Sequence, residues 1–230
     1  TIPTATKTGW TFNGWYTAAT GGTLVINSSK VVQASVSGWT DASKNWLKTS
    51  TSDTANTNRL YAQYSINNPA TPTISGAATK VRNHETVTLT CATTTTYASG
   101  TSKYYSFGYA TSDGGTPGTD TWTTASTTAT YVVPKDEYTG TRYYSCRVYA
   151  SDGTSTSSTV ASAVASDAAV SYVNARIDFD ATTNAGTISG STPLYTPYGK
   201  TNIYTGRTNT TAGTIPTATK TGWTFNGWYT

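Results

Sequence analysis

Residues 1–17, TIPTATKTGWTFNGWYT, recur letter for letter as residues 214–230. Chance does not produce such a match, and self-similarity at a fixed period is the signature of a repeat architecture. The second copy starts 213 positions after the first. The chain therefore reads as one period, plus a short overlap, of a longer tandem array that opens and closes partway through a unit. Drift erodes repeats, so perfect identity points to near-identical copies. The unit that straddles the period boundary joins the end of one period to the start of the next.

Composition narrows the class. Apolar residues make up 36% of the chain and charged residues only 11%, both below the averages of soluble proteins. Thr fills much of the gap, at roughly a quarter of all residues. Thr is β-branched and stiff at χ1, so it favours strands while keeping a solvent face polar. Seventeen Tyr, 7 Trp and 4 Phe exclude a merely disordered polar linker. The expectation is a mainly all-β protein with two domains per period, each of about 100 residues and able to fold alone. The formal net charge of +4 comes from scattered Lys and Arg with no basic run, whereas a nucleic-acid surface needs clustered charge. No stretch approaches the roughly 18 apolar residues of a membrane span. Neither a nucleic-acid partner, nor a membrane span in this segment, nor a cofactor is expected.

Cys91 and Cys146 stand in a chain that otherwise avoids cysteine and has no Met. An even pair in an extracellular-looking sequence reads as a disulfide; the alternative is two buried free thiols. Closing a loop of about 55 residues would stabilise the fold by roughly 4 kcal/mol in the chain-entropy model.

The stretch Asn67-Asn68-Pro69-Ala70-Thr71-Pro72 is a linker by composition, because proline fixes φ and cannot continue a ladder. A second boundary falls in the Ala/Ser/Val stretch 160–170. These divide the chain into 1–66, 67–168 and 169–230. The middle segment reads as short strands broken by turn chemistry. In 85–91 (ETVTLTC), Val87, Leu89 and Cys91 share one face; 103–110 (KYYSFGYA) is an aromatic strand. After 127–133 comes 141–150 (TRYYSCRVYA), with Tyr144, Cys146 and Val148 on one face, then a hairpin turn at Asp152-Gly153 and a closing segment 154–164. Short strands with turn signals at this spacing argue for a sandwich.

Cys91 on one strand, Cys146 on another, and Tyr144 two residues before it resemble the frame of a bacterial immunoglobulin-like domain. The resemblance covers about 100 residues and implies an inter-sheet disulfide and a tyrosine corner, in which the Tyr144 hydroxyl bonds back to the backbone. The third strand departs from the pattern by lacking a Trp, so Tyr105 or Phe107 is expected to fill that space. The rest of the period, 171–213 followed by 1–65 of the next copy, is similar to the Listeria–Bacteroides repeat, the internalin B-repeat family of bacterial surface proteins. The residues that carry this are Ile177-Asp178-Phe179-Asp180, the run 7–17 (KTGWTFNGWYT), 18–23 (AATGGT) and the closing Leu60-Tyr61-Ala62-Gln63-Tyr64. It implies a β-grasp-like fold with Trp10, Phe12, Gly14, Trp15 and Phe179 in the core. Gly14 among large aromatics suggests a bulge or a close backbone approach. Two insertions depart from the family: 38–50, read as a helical turn or two capped by Thr40 or Asp41, and the Tyr- and Thr-rich 191–213.

Candidates for chemistry are few. His84 is the sole histidine, and a triad or zinc site needs convergent partners. Asp136 and Glu137 are sequence neighbours, the wrong arrangement for paired acid–base work. Asp178, Asp180 and Asn184 loosely resemble a calcium loop but lack its Gly and terminal Glu; Asp180 is expected to begin a turn instead. Trp10, Trp15, Trp39, Trp46 and Trp122 are the residue type of a sugar-stacking platform, against which Trp10 and Trp15 are expected in the core. Asn27-Ser28-Ser29 and Asn209-Thr210-Thr211 have the form of glycosylation sequons. The expected function is structural rather than enzymatic: the repeat unit of a long extracellular, cell-surface or secreted fibre, stalk or filament, with neighbouring copies as partners. The alternative is a repetitive adhesin that binds glycans or host protein through exposed aromatics. Tyr195, Tyr198 and Tyr204, together with Trp39 and Trp46 of the other insertion, are the candidate interface residues, because Tyr combines apolar area with a hydroxyl.

Overall fold

The computed structural model describes residues 1–53, 57–135, 138–162, 164, 168–208 and 211–230. Its elements are nearly all strands, with short 3-10 turns such as Thr119–Thr121 and Thr182–Asn184 between them. The chain forms two compact units, one made of Thr1–Pro72, Thr93–Tyr104 and Val148–Val160, the other of Thr73–Ala92, Tyr105–Arg147 and Ala161–Thr230. These do not follow the boundaries expected at 66/67 and 168/169, because 93–104 and 148–160 group with the N-terminal residues. Long-range hydrogen bonds account for the grouping: Ala98 N–H donates to the Thr8 carbonyl at 2.8 Å, Trp10 Nε1 to Thr101 Oγ1 at 3.2 Å, and Ser158 N–H to Asn68 Oδ1 at 3.0 Å.

In the first unit, β1 (Trp10–Tyr16) lies between β2 (Leu24–Asn27) and β3 (Tyr61–Ile66), antiparallel to both. The β1–β3 register slips between Phe12 and Gly14, the bulge suggested by the isolated glycine. Gly14 has φ 141°, and a Cβ there would stand 2.4 Å from the Ile26 carbonyl oxygen, so the strand can approach β2 only with glycine. Val25, Ile26, Val36 and Trp39 form the core of this sheet, with Ile2, Trp15, Val32 and Leu60 packed against it.

The insertion 38–50 is not helical. Thr40 and Trp46 pair as an antiparallel bridge. Between them, Asp41 accepts backbone bonds from Ser43 at 2.9 Å and Asn45 at 2.8 Å. A carboxylate that captures nearby backbone N–H groups offers the chain an alternative to helix, and Lys44 takes the left-handed φ of 65° that closes the turn.

In the second unit, β4 (Thr73–Ser75), β6 (Val87–Ala92) and β8 (Thr130–Val133) make one sheet in the order β4-β6-β8. Another sheet, of which residues 102–104, 148–151 and 160 group with the first unit, runs β10-β9-β11-β5, from β5 (Ala78–Val81), β9 (Gly140–Ser151), β10 (Val160–Ala161) and β11 (Ala169–Val173), with β7 (Ser102–Ala110) also on β9. The pairing of β5 with β11 is parallel. Strand β6 alternates as its sequence requires, with Val87, Leu89 and Cys91 buried and the residues between them exposed. Cys91 and Cys146 form a disulfide that ties the two sheets together, their Cα atoms 6.1 Å apart. Tyr105 and Phe107 are both buried.

The last part of this unit carries β12 (Ala175–Ile177) paired with β14 (Leu194–Thr196), and β13 (Thr187–Ser189) paired with β15 (Thr217–Thr219). The insertion 191–213 continues the first of these ladders. Tyr195 and Tyr204 exchange backbone bonds of 2.9 and 2.8 Å, and Thr205 N–H reaches the Thr211 carbonyl at 3.0 Å.

Candidate assembly site

The two copies of the seventeen-residue segment share a set of local contacts. In the first, Trp10 N–H donates to the Lys7 carbonyl at 3.0 Å and Lys7 Nζ sits 3.3 Å above the Trp10 ring. In the second, Trp223 N–H donates to the Lys220 carbonyl at 3.0 Å, with Lys220 Nζ 4.5 Å above the Trp223 ring. Phe12 meets Trp15 edge-on at 5.5 Å and 70°; Phe225 meets Trp228 at 5.2 Å and 67°. Trp15 Nε1 donates to the Pro3 carbonyl at 3.1 Å, and Trp228 Nε1 to that of Pro216 at 2.9 Å. The left-handed turn before the first Trp, the cation over its face and the Trp–Pro bond are therefore properties of the segment itself.

Their partners differ, and in a complementary way. Residues 10–16 are the central strand between β2 and β3, whereas 223–229 belong to no strand. Trp223 is 73% exposed and Tyr229 83%. Conversely, Thr217–Thr219 pairs with β13, while the matching Thr4-Ala5-Thr6 lies outside every strand. Phe179 packs edge-on against Trp228 at 5.0 Å. Each copy thus has the partners that the other lacks. Beside the second copy lies a groove of about 450 Å³ lined by Asp180, Ala181, Gly186, Trp223, Phe225 and Trp228.

Of the residues expected in a core, Trp10, Tyr144 and Gly14 are buried, while Phe12, Trp15 and Phe179 are half-buried. Phe12 spends its ring on Trp15 and Tyr64. Of the interface candidates, Trp39 is corrected: it is 8% exposed inside the β2 cluster, because the hairpin at Asp41 folds it inward. Trp46 remains 48% exposed. Tyr195 and Tyr204 are half-buried. Tyr198 is 56% exposed, yet its ring lies 4.3 Å from that of His84 and its N–H donates to the Arg82 carbonyl. His84 is thus a packing partner of the insertion.

Asp178 takes two bonds from the Arg176 guanidinium, at 2.9 and 2.7 Å. Asp180 opens a turn, accepting from the Thr182 and Thr183 hydroxyls and the Thr182 N–H; those bonds hold its carboxyl down at about 2. Asp152 caps the 152–155 turn by accepting from Thr154 and Ser155 N–H, which keeps its carboxyl below the usual range. Among the described residues, no three His, Cys, Asp or Glu side chains group as a metal site. Burial pushes the Tyr144 phenol up, and its ring packs between those of Tyr109 and Tyr131. The Tyr172 hydroxyl donates to the Pro134 carbonyl at 2.6 Å. Asp136, Glu137 and Asn209-Thr210 lie outside the described residues.

The sequence reading missed Trp122 as a structural residue. Its ring covers Gly108 of β7, where a Cβ would come within 2.6 Å of it, and the Arg147 guanidinium stacks on it at 4.3 Å. The signal was Gly108 itself, an isolated glycine within an aromatic strand, which marks a close approach. No helix among the described residues is long and apolar enough to cross a membrane, and the disulfide fits an oxidising, extracellular setting. Compared with known proteins, the chain matches no protein-family profile and no curated protein.

Proposed function

We propose that the chain is the structural repeat unit of a long extracellular fibre, built from tandem β domains in which an immunoglobulin-like sandwich alternates with a B-repeat-like unit split across the period boundary. One observation carries the reading: the two identical segments share a set of local contacts, and each has the partners that the other lacks. Joined through the shared seventeen residues, they make one unit with β13 on one side of the segment and β2 and β3 on the other. The sheet orders, the parallel β5–β11 pairing and the disulfide between β6 and β9 support the immunoglobulin-like half. The contact of Tyr198 with His84 favours a packing role for the insertion over the rival adhesin reading, in which the same tyrosines would bind glycans.

The test is a chain extended beyond Thr230 by a second copy of residues 18–66. Amides of 223–229 should become as protected from hydrogen exchange as those of 10–16, and the fluorescence of Trp223 should shift to the blue. Unchanged exchange would remove the basis of the tandem reading. A concatemer of four periods should then appear in electron micrographs as rods whose length grows linearly with period number; coiled beads would refute a fibre. Selective glycan binding by one period, abolished by Tyr195→Ala with Tyr198→Ala, would favour the adhesin.

A further inference from the structure

We propose that the insertion 191–213 is a splint, a hairpin that locks the disulfide-linked sheets to the strands that follow them at a fixed angle. The inference concerns a single copy and stands apart from the fibre reading. Strand β11 ends at Val173 and β12 begins at Ala175, so the two parts are joined by the single residue Asn174. A boundary between domains normally runs through an exposed, flexible linker that few contacts cross, and relative motion is then the default. Asn174 is the reverse case. It is 0% exposed. Its backbone N–H donates to the Arg207 carbonyl at 2.8 Å, and its Nδ2 to that of Gly206 at 3.4 Å.

The hairpin supplies both of those carbonyls and a second grip. Its outgoing arm is β14, paired with β12, and its return arm is held to β14 by the bonds between Tyr195 and Tyr204. The hairpin therefore belongs to the strands after the joint. Between its arms, Lys200 N–H donates to the carbonyl of the buried Pro197 at 3.4 Å and closes a turn. At the head of that turn, Tyr198 reaches back across the joint. Its N–H donates to the Arg82 carbonyl at 3.1 Å, and its ring lies 4.3 Å from that of His84. Both residues sit in the corner that follows β5, where Arg82 N–H donates to the Val173 carbonyl at 2.7 Å. A grip at Asn174 alone would leave a hinge about that residue. The second grip, on the neighbouring strand end, opposes the rotation, because a swing that keeps one set of bonds breaks the other. Tyr198 is 56% exposed, so this grip can be removed without emptying a core.

The test measures the joint by electron–electron double resonance on the full chain. Spin labels are placed at Thr88→Cys in β6 and Arg176→Cys in β12, both exposed positions, without reductant so that Cys91 and Cys146 stay paired. One narrow distance peak is expected. Tyr198→Pro is the informative variant. The turn at 197–200 has φ 69° at Gly199, the type II pattern, which favours proline at the position of Tyr198. The turn is therefore kept, while the N–H for Arg82 and the ring for His84 are both lost. The narrow peak should give way to a broad distribution, with the amide spectrum of β6 and β9 unchanged. A broad distribution in the parent chain, or an unchanged peak in the variant, would overturn the proposal. If Tyr198→Pro disturbs β14, His84→Ala with Tyr198→Ala decides. That pair strips the ring contact alone, and a peak as narrow as the parent's would again overturn the proposal. Concatemers can fail to form rods while the peak in one copy stays narrow, so the fibre reading and this one are separable.

Discussion

Gly14 and Gly227 are the same residue of the repeated segment in two settings, and they should respond differently to a methyl group. Both have φ beyond 120°, a conformation that L side chains rarely adopt. At Gly14 the added Cβ also meets the Ile26 carbonyl at 2.4 Å, whereas at Gly227 it meets nothing within 4 Å. Gly14→Ala should therefore destabilise the first unit by about 3 kcal/mol or more. Gly227→Ala should cost the backbone strain alone, about 1–3 kcal/mol. Denaturant unfolding of the two variants beside the parent chain measures the contrast, and equal effects would mean that strain alone, not the β1–β2 approach, makes glycine necessary. Asp180 supplies a second residue-level prediction. Its folded carboxyl, held at about 2 by threonine hydroxyls and a backbone N–H, lies below the ordinary carboxylate value of about 3.9. The turn at Thr182–Asn184 is then fully supported above pH ~4 and loses that support as pH falls towards ~2. An NMR titration of the Asp180 carboxyl carbon should show its midpoint near the lower value, and a midpoint near 4 would contradict the hydrogen bonds.

At the scale of elements, the disulfide between β6 and β9 is the strongest single link in the second unit. Its loop spans 55 residues, so reduction, or Cys91→Ala with Cys146→Ala, should lower stability by roughly 4 kcal/mol in the chain-entropy model. Guanidinium unfolding with and without reductant checks the value. The strands that carry the cysteines were legible in the sequence, because alternation at Val87, Leu89 and Cys91 and at Tyr144, Cys146 and Val148 is a direct record of a two-faced strand. The bulge at Gly14 and the turn at Asp152-Gly153 were legible for a different reason: each needs a positive φ, which glycine adopts without steric cost. The insertion 38–50 was misread, because the decisive bonds are from Asp41 to its neighbours' N–H groups, and Asp serves equally well as a helix cap. The grouping of 93–104 with the N-terminal residues was beyond reach. It depends on bonds such as Trp10 to Thr101, 91 positions apart, which leave no periodic trace. In the assembly site, the repeated segment announced itself, but the pairing of Thr217–Thr219 with β13 depends on a neighbour with no marked strand pattern.

At the scale of the whole molecule, the disulfide also governs how the chain answers to force. Tension carried along the backbone passes from Cys91 to Cys146 through the sulfurs, so the intervening residues bear no load even after both sheets have come apart. Fully drawn out, a stretch of 55 residues measures about 190 Å, and that slack stays locked in every oxidised period. Pulled between its ends in an optical trap, the oxidised chain should reach full extension about 190 Å short of the reduced one. Equal contour lengths would mean that the load path does not run through the bridge. In the fibre proposed above, each such period would yield under a sudden tug and then stop short, with the remaining length held in reserve by covalent bonds.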